Sequence, residues 1–193
     1  PEAATLAIIR AADGEMVLSG TVPEGLSPRG FAERLTGRAR VGEVAPVGTG
    51  TPARWVDAAE ALNVVLPRIG LARIELSPGR MAIRGRLKPG VSLKEVRPAL
   101  RAALGPGWTL VFEMTEVPPP AAIAFRHDAA GTRVSGMLPA GVSVAQALTA
   151  LHDAENEGLA TGASGAPGPW VRALATLDAL LTAYRRAEGR LSP

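Results

Sequence analysis

Three short apolar stretches, 4–10, 72–76 and 122–127, are each followed by turn chemistry and then by a second stretch of alternating character. The turns are Ala12-Asp13-Gly14, Ser77-Pro78-Gly79-Arg80 and Asp128-Ala129-Ala130-Gly131. Asp-Gly and Pro-Gly supply the backbone conformations that tight hairpin turns need. The second stretches align without gaps: Met16-Val-Leu-Ser-Gly-Thr-Val-Pro-Glu-Gly-Leu-Ser27, Met81-Ala-Ile-Arg-Gly-Arg-Leu-Lys-Pro-Gly-Val-Ser92 and Thr132-Arg-Val-Ser-Gly-Met-Leu-Pro-Ala-Gly-Val-Ser143. An internal repeat of this kind sets the architecture before any single element does. Each copy predicts a strand running into a helix. The first glycine of each pair (Gly20/Gly25, Gly85/Gly90, Gly136/Gly141) falls inside the strand, which points to a bulge or a close backbone approach. A phosphate-cradling loop would cluster its glycines between strand and helix, and these stand five apart.

The serine closing each copy is placed to cap a helix. Ser92-Leu-Lys-Glu95 and Ser143-Val-Ala-Gln146 have the spacing of capping boxes, and Ser27-Pro28 puts proline at the first helical position. The helices are predicted to run to about residues 36, 104 and 154, with third strands over about 40–47, 108–115 and 159–163. A longer period overlies the short one. Trp55-Val56 returns as Trp170-Val171, 115 residues later. The apolar series Trp55, Ala59, Leu62, Leu66, Ile69 returns as Trp170, Leu174, Leu177, Leu181, Tyr184, at spacings that share one helical face. Each tryptophan is expected to anchor its helix on a sheet. Ser77-Pro78 returns as Ser192-Pro193. The register therefore implies that a further hairpin would turn there and that the native protein continues. It assigns helix 170–188 to a fourth unit.

Composition narrows the function. The 193 residues are 47% hydrophobic and 20% charged, which excludes a disordered chain. No apolar run approaches the ~20 residues of a membrane-spanning helix. With no cysteine, disulfides and thiolate chemistry are excluded, and 4% aromatics are too few for a base-stacking platform. The sequence pI of about 10.1 rests on a net charge of only +3. No run of five or six like charges occurs, and the only lysines are Lys88 and Lys94, so nucleic acid is not an expected partner.

The order of helix, hairpin ending in aliphatic-x-Gly-x-aliphatic, second helix and third strand resembles the BON domain of bacterial cell-envelope proteins. The specific part is Leu18-Ser-Gly-Thr-Val22, Ile83-Arg-Gly-Arg-Leu87 and Val134-Ser-Gly-Met-Leu138. Residues 52–117 hold the complete order. Units 1–50 and 119–165 resemble it without the leading helix, and 168–193 reads as the leading helix of a truncated fourth unit. Pro118-Pro119-Pro120 forms a stiff, extended link. The combination is similar to the N-terminal region of proteobacterial OmpA-family proteins, in which tandem BON-like units precede a peptidoglycan-binding domain. The resemblance implies an α+β fold of tandem BON-like repeats with Trp-anchored amphipathic helices between units. It also implies a periplasmic, outer-membrane-associated location and a non-enzymatic structural role as spacer or scaffold. Its expected partners are envelope components: protein, phospholipid, or peptidoglycan through a missing C-terminal domain.

No constellation of catalytic residues, cofactor site or metal site emerges. Zinc requires three or four ligands, and His127 and His152 have no second histidine at helical spacing. Asp153, Glu155 and Glu157 follow His152 as an acidic cluster, read as a solvated helix end. The best cationic group is Arg84, Arg86 and Lys88, whose alternation places them on one strand face opposite Met81, Ile83 and Leu87. That stripe is the candidate contact for an anionic surface, giving the alternative function of a peripheral phospholipid-binding module. Because a bare apolar helix face does not stay in water, helix 170–188 is further expected to dock on the third unit's sheet or to pair with another copy of the chain in self-association.

Overall fold

The computed structural model describes residues 2–152 and 154–192. Asp153 of the acidic cluster and Pro193 of the repeated Ser-Pro lie outside them. The chain is α+β and divides into two compact units, 1–117 and 118–193.

The first unit runs β1 (Leu6–Arg10), β2 (Met16–Pro23), α1 (Pro28–Arg34), β3 (Ala39–Gly48), α2 (Pro52–Val65), a 3-10 turn (Leu66–Arg68), β4 (Ile69–Ser77), β5 (Arg80–Leu87), α3 (Leu93–Leu104) and β6 (Thr109–Thr115). Its six-stranded sheet has the order β3-β2-β1-β4-β5-β6. Each half is an antiparallel hairpin whose second strand pairs in parallel with the third strand, and a helix makes the crossover. The halves join through their first strands, β1 against β4 antiparallel, with Leu6 opposite Leu76 and Arg10 opposite Ala72. The repeats read from sequence as units 1–50 and 52–117 therefore share one continuous sheet.

The second unit repeats this plan once and begins it again. It runs β7 (Ala122–Asp128), β8 (Gly131–Pro139), α4 (Val144–Ala150), β9 (Glu155–Ala163), α5 (Pro167–Ala183) and β10 (Ala187–Leu191), with sheet order β10-β7-β8-β9. Ile123 pairs with Gly136 on one side and Leu191 on the other, just as Leu6 pairs with Gly20 and Leu76. β10 is thus the counterpart of β4.

The motif glycines serve the sheet. Gly20, Gly85 and Gly136 have φ of +117°, +152° and +120°. A Cβ at each would collide with the carbonyl oxygen of Thr5, Leu71 or Ala122 on the neighbouring first strand. Any side chain here meets both a left-handed backbone and a fixed backbone atom.

One face of each sheet is buried. In the first unit, Leu6, Ile8, Leu18, Ile74, Met81 and Ile83 meet Phe31, Trp55, Leu62, Val96 and Leu100 from the helices. Trp55 packs edge-on to Phe31, with ring centroids 6.3 Å apart and planes at 65°. In the second unit, Ile123, Val134 and Leu138 meet Ala147, Trp170, Leu174, Leu177 and Leu181.

Three expectations are corrected. The helix read over Trp55–Ile69 ends at Val65, and Ile69 opens β4. Pro67 has no N–H to continue the helical ladder, so the chain tightens into a 3-10 turn. All five residues of the series are buried nonetheless. The helix read over 170–188 ends at Ala183, and Ala187–Leu191 is a strand because the edge of β7 offers it a ladder. Tyr184, placed on the apolar helical face, is instead the extended, exposed C-cap. Finally, the capping box forms at Ser143–Gln146 but not at Ser92–Glu95. There Glu116 intervenes, accepting from the Leu93 N–H at 2.6 Å and the Ser92 hydroxyl at 3.0 Å.

Two outcomes test this architecture. Gly20→Ala, Gly85→Ala and Gly136→Ala should each cost about 2–4 kcal/mol in chemical denaturation. Gly168→Ala, in α5 with open space around it, should be neutral or stabilising. Leu62, fully buried in α2, should cost roughly 2–5 kcal/mol when truncated to Ala. An unchanged melting temperature would mean that the packing face is wrong.

Candidate functional site

The helices cover one side of the six-stranded sheet and leave the other to solvent. Period-two alternation sends Ala7, Ile9, Val17 and Ser19 outward from the first hairpin while Leu6, Ile8, Met16 and Leu18 go inward. In β4 and β5 the outward residues include Leu71, Arg73, Glu75, Arg84 and Arg86. A shallow depression of about 410 Å³ lies on this face, lined by Thr5, Ala7, Ser19, Arg73, Glu75 and Arg80 among others.

The candidate residues Arg84, Arg86 and Lys88 are all exposed. Arg84 and Arg86 share the solvent face of β5, and Lys88 lies one residue beyond the strand. Arg84 is not a bare cation. Its Nε donates to Glu113 Oε2 on β6 at 2.7 Å, and its Nη1 donates to Glu75 Oε2 on β4 at 3.4 Å. Arg73 Nε donates to the other oxygen of Glu75 at 2.7 Å. The register explains this ladder. Arg73 stands directly opposite Arg84, a repulsive arrangement that Glu75 relieves by bridging both. The hydrogen bond from Arg73 holds the Glu75 carboxyl below its usual range, and the one Arg84 donates to Glu113 holds its guanidinium above its own. Such exposed pairs add little stability, but they neutralise one of the three cations of the stripe. Arg86 and Lys88 have no ion pair among the described residues.

The remaining candidates are dispersed. His127 Nδ1 lies 2.8 Å from Thr132 Oγ1 across its own hairpin. His152 Nδ1 lies 2.6 Å from Asp178 Oδ1 on α5. Glu155 and Glu157, read as part of a solvated helix end, lie instead on β9, since α4 ends at Ala150, and approach Arg133 at 3.6 and 3.9 Å. No group of three metal-ligating side chains occurs among the described residues. Ser27 and Ser143 accept backbone N–H bonds at helix starts, as their spacing predicts.

Sequence reasoning missed two polar residues that hold the fold. Arg10 is the one buried cation among the described residues, 6% exposed. Its Nε donates to the Ile69 carbonyl and its Nη1 to the Gly14 carbonyl, tying the first hairpin turn to the start of β4. Burial lowers its pKa, and nearby Asp13 acts in the opposite sense. Glu116 is the other. The Leu93 N–H and Ser92 hydroxyl stabilise its charged form and lower its pKa. A depressed folded-state pKa gives stability that is present above the unfolded value and lost as pH falls through the folded one. Melting temperature should therefore drop more steeply on acidification in the wild type than in Glu116→Gln, and parallel curves would remove this role. Compared with known families, curated proteins and solved structures, the chain matches none of them.

Proposed function

We propose that the chain is a non-enzymatic structural and interaction module of the bacterial cell envelope. In this reading it is a tandem of BON-like repeats of the kind found in OmpA-family proteins, and acts as a spacer or scaffold at the periplasmic side of the outer membrane. The observation that carries the reading is the threefold recurrence of hairpin, helix and parallel third strand, built on glycines that serve the neighbouring strand and serines that serve helix starts. The recurring chemistry of the repeat thus serves backbone geometry. Cell fractionation of the protein expressed from its native gene tests the location. Recovery with the envelope, with protease sensitivity only after the outer membrane is opened, supports it. Recovery in the cytosol overturns it.

A second reading, peripheral binding to anionic phospholipid, draws on Arg86 and Lys88, which are exposed and have no ion pair among the described residues. Because Glu75 and Glu113 occupy Arg84, only part of the stripe is free to meet a headgroup. The scaffold reading expects the chain to stay in the supernatant when phosphatidylglycerol vesicles are pelleted. Sedimentation that is lost in high salt, and lost in Arg86→Ser/Lys88→Ser, would replace it with the lipid reading.

A further inference from the structure

The last inward position of the first strand recurs in all three repeats and holds a different side chain in each. Arg10 stands opposite Met16, Leu76 opposite Met81, and His127 opposite Thr132, the residues with which the aligned motif begins. The fold accepts an apolar residue at this place, since Leu76 is only 1% exposed. Arg10 points to the same helix-covered side, following the burial of alternate residues along β1. A buried cation is seldom more stable than a well-packed apolar side chain of similar size, because desolvation costs more than its contacts contribute. Leucine satisfies the packing here, so packing does not account for the arginine.

The guanidinium is also incompletely used. It carries N–H donors on all three nitrogens. Nε donates to the Ile69 carbonyl at 3.2 Å and Nη1 to the Gly14 carbonyl at 3.0 Å, while Nη2 has no acceptor among the described residues. Both acceptors are neutral, and no carboxylate among the described residues stands in ion-pair contact with it. Asp13, the nearby acidic residue, is turned into its own hairpin loop, where Oδ1 accepts the Glu15 N–H at 3.0 Å. Gly14 leaves Nη2 bare, for a Cβ there would stand 3.4 Å from it.

Arg10 lines a depression of about 520 Å³ bounded by the first hairpin turn, the loop between α1 and β3, and the 3-10 turn before β4. Thr36 and Arg38 share its wall with Asp13 and Glu15. Arg38 is a second cation and a loosely held one, with its side chain 87% exposed and its pairing with Glu15 stretched to 3.9 Å. These two arginines and two carboxylates carry no net charge together, so an anion is not repelled from the depression as a whole. Arg10 is the member without a direct counter-ion. Guanidinium groups take carboxylate and phosphate oxygens through charge-assisted N–H bonds.

We propose that this depression binds a small oxyanion, a carboxylate or phosphate group, on the Nη2 side of Arg10, with Arg38 as the second cation at its rim. The ligand supplies the counter-ion that the chain itself does not. Leu76 removes the equivalent site from the second repeat. The site is additional to the scaffold role and independent of it.

Titration with sodium phosphate and with sodium acetate, each to about 20 mM at an ionic strength held constant with chloride, tests this. Amide and arginine Nε–H resonances and the melting temperature are followed. At least one of the two anions should shift Arg10, Gly14 and residues 36–38 saturably and raise the melting temperature, and whichever acts identifies the phosphate or the carboxylate as the ligand group. Chloride alone should leave these signals in place. Arg10→Leu, which copies the second repeat, should fold and lose the response. Arg38→Ala, at an exposed position, should weaken binding at least about threefold. The proposal is overturned if neither anion gives a saturable shift, or if the shifts are spread equally over exposed arginines such as Arg84 and Arg86. A response that persists in Arg10→Leu, or an affinity unchanged in Arg38→Ala, also overturns it. Should Arg10→Leu fail to fold, Arg38→Ala and the location of the shifts decide the matter.

Discussion

A hairpin with a parallel third strand leaves one backbone edge of its first strand without partners, and the rest of the structure follows from how that edge is satisfied. In the first unit two repeats turn these edges toward each other, and β1·β4 becomes the middle of a six-stranded sheet. Unpaired backbone groups are costly where water is excluded, and Leu6, Ile8, Ile74 and Leu76 of this strand pair are buried in the core. α2 connects the halves and packs between α1 and α3 over that core, which is why its tryptophan is fully covered. In the second unit β10 takes the place of β4 against β7.

How far the sequence discloses this depends on the range of the interaction. The glycine pairs, hairpin turns, serine caps and tryptophan anchors are decided within a few residues, and each was readable in the pattern. Ser143 finds Gln146 as its spacing says. Ser92 caps its helix through the Lys94 N–H, but the box with Glu95 does not form, because Glu116, just past the end of β6, bonds the Ser92 hydroxyl and the Leu93 N–H. β10 was invisible for a similar reason. Ala-Glu-Gly-Arg-Leu is a poor strand by composition, and only the edge of β7 makes it one. Arg10 had no motif at all, since its carbonyl partner at Ile69 belongs to the other repeat. At the candidate surface the stripe of Arg84 and Arg86 was legible from alternation. Its neutralisation by Glu75 and Glu113 was not, because strand order places those carboxylates on either side.

The long period carries information beyond similarity. Because the same residues occur in two contexts, one half of the chain serves as a reference for the other. Exposure at Leu180 means little by itself, since scattered surface leucines are common. Beside the full burial of Val65 at the equivalent position, it marks a face that the fold covers elsewhere.

The seam between β1 and β4 also sets an order of assembly. Within each hairpin, paired residues lie only a turn apart, so closing the loop between them costs little chain entropy. Leu6 and Leu76 are separated by an entire repeat together with α2. Contacts of such separation form slowly and gain from neighbours already in place. The individual repeats are accordingly the early folding units, and the central strand pair is the late event that makes them cooperative. The central ladder of the sheet is thus the one the chain must travel furthest to close.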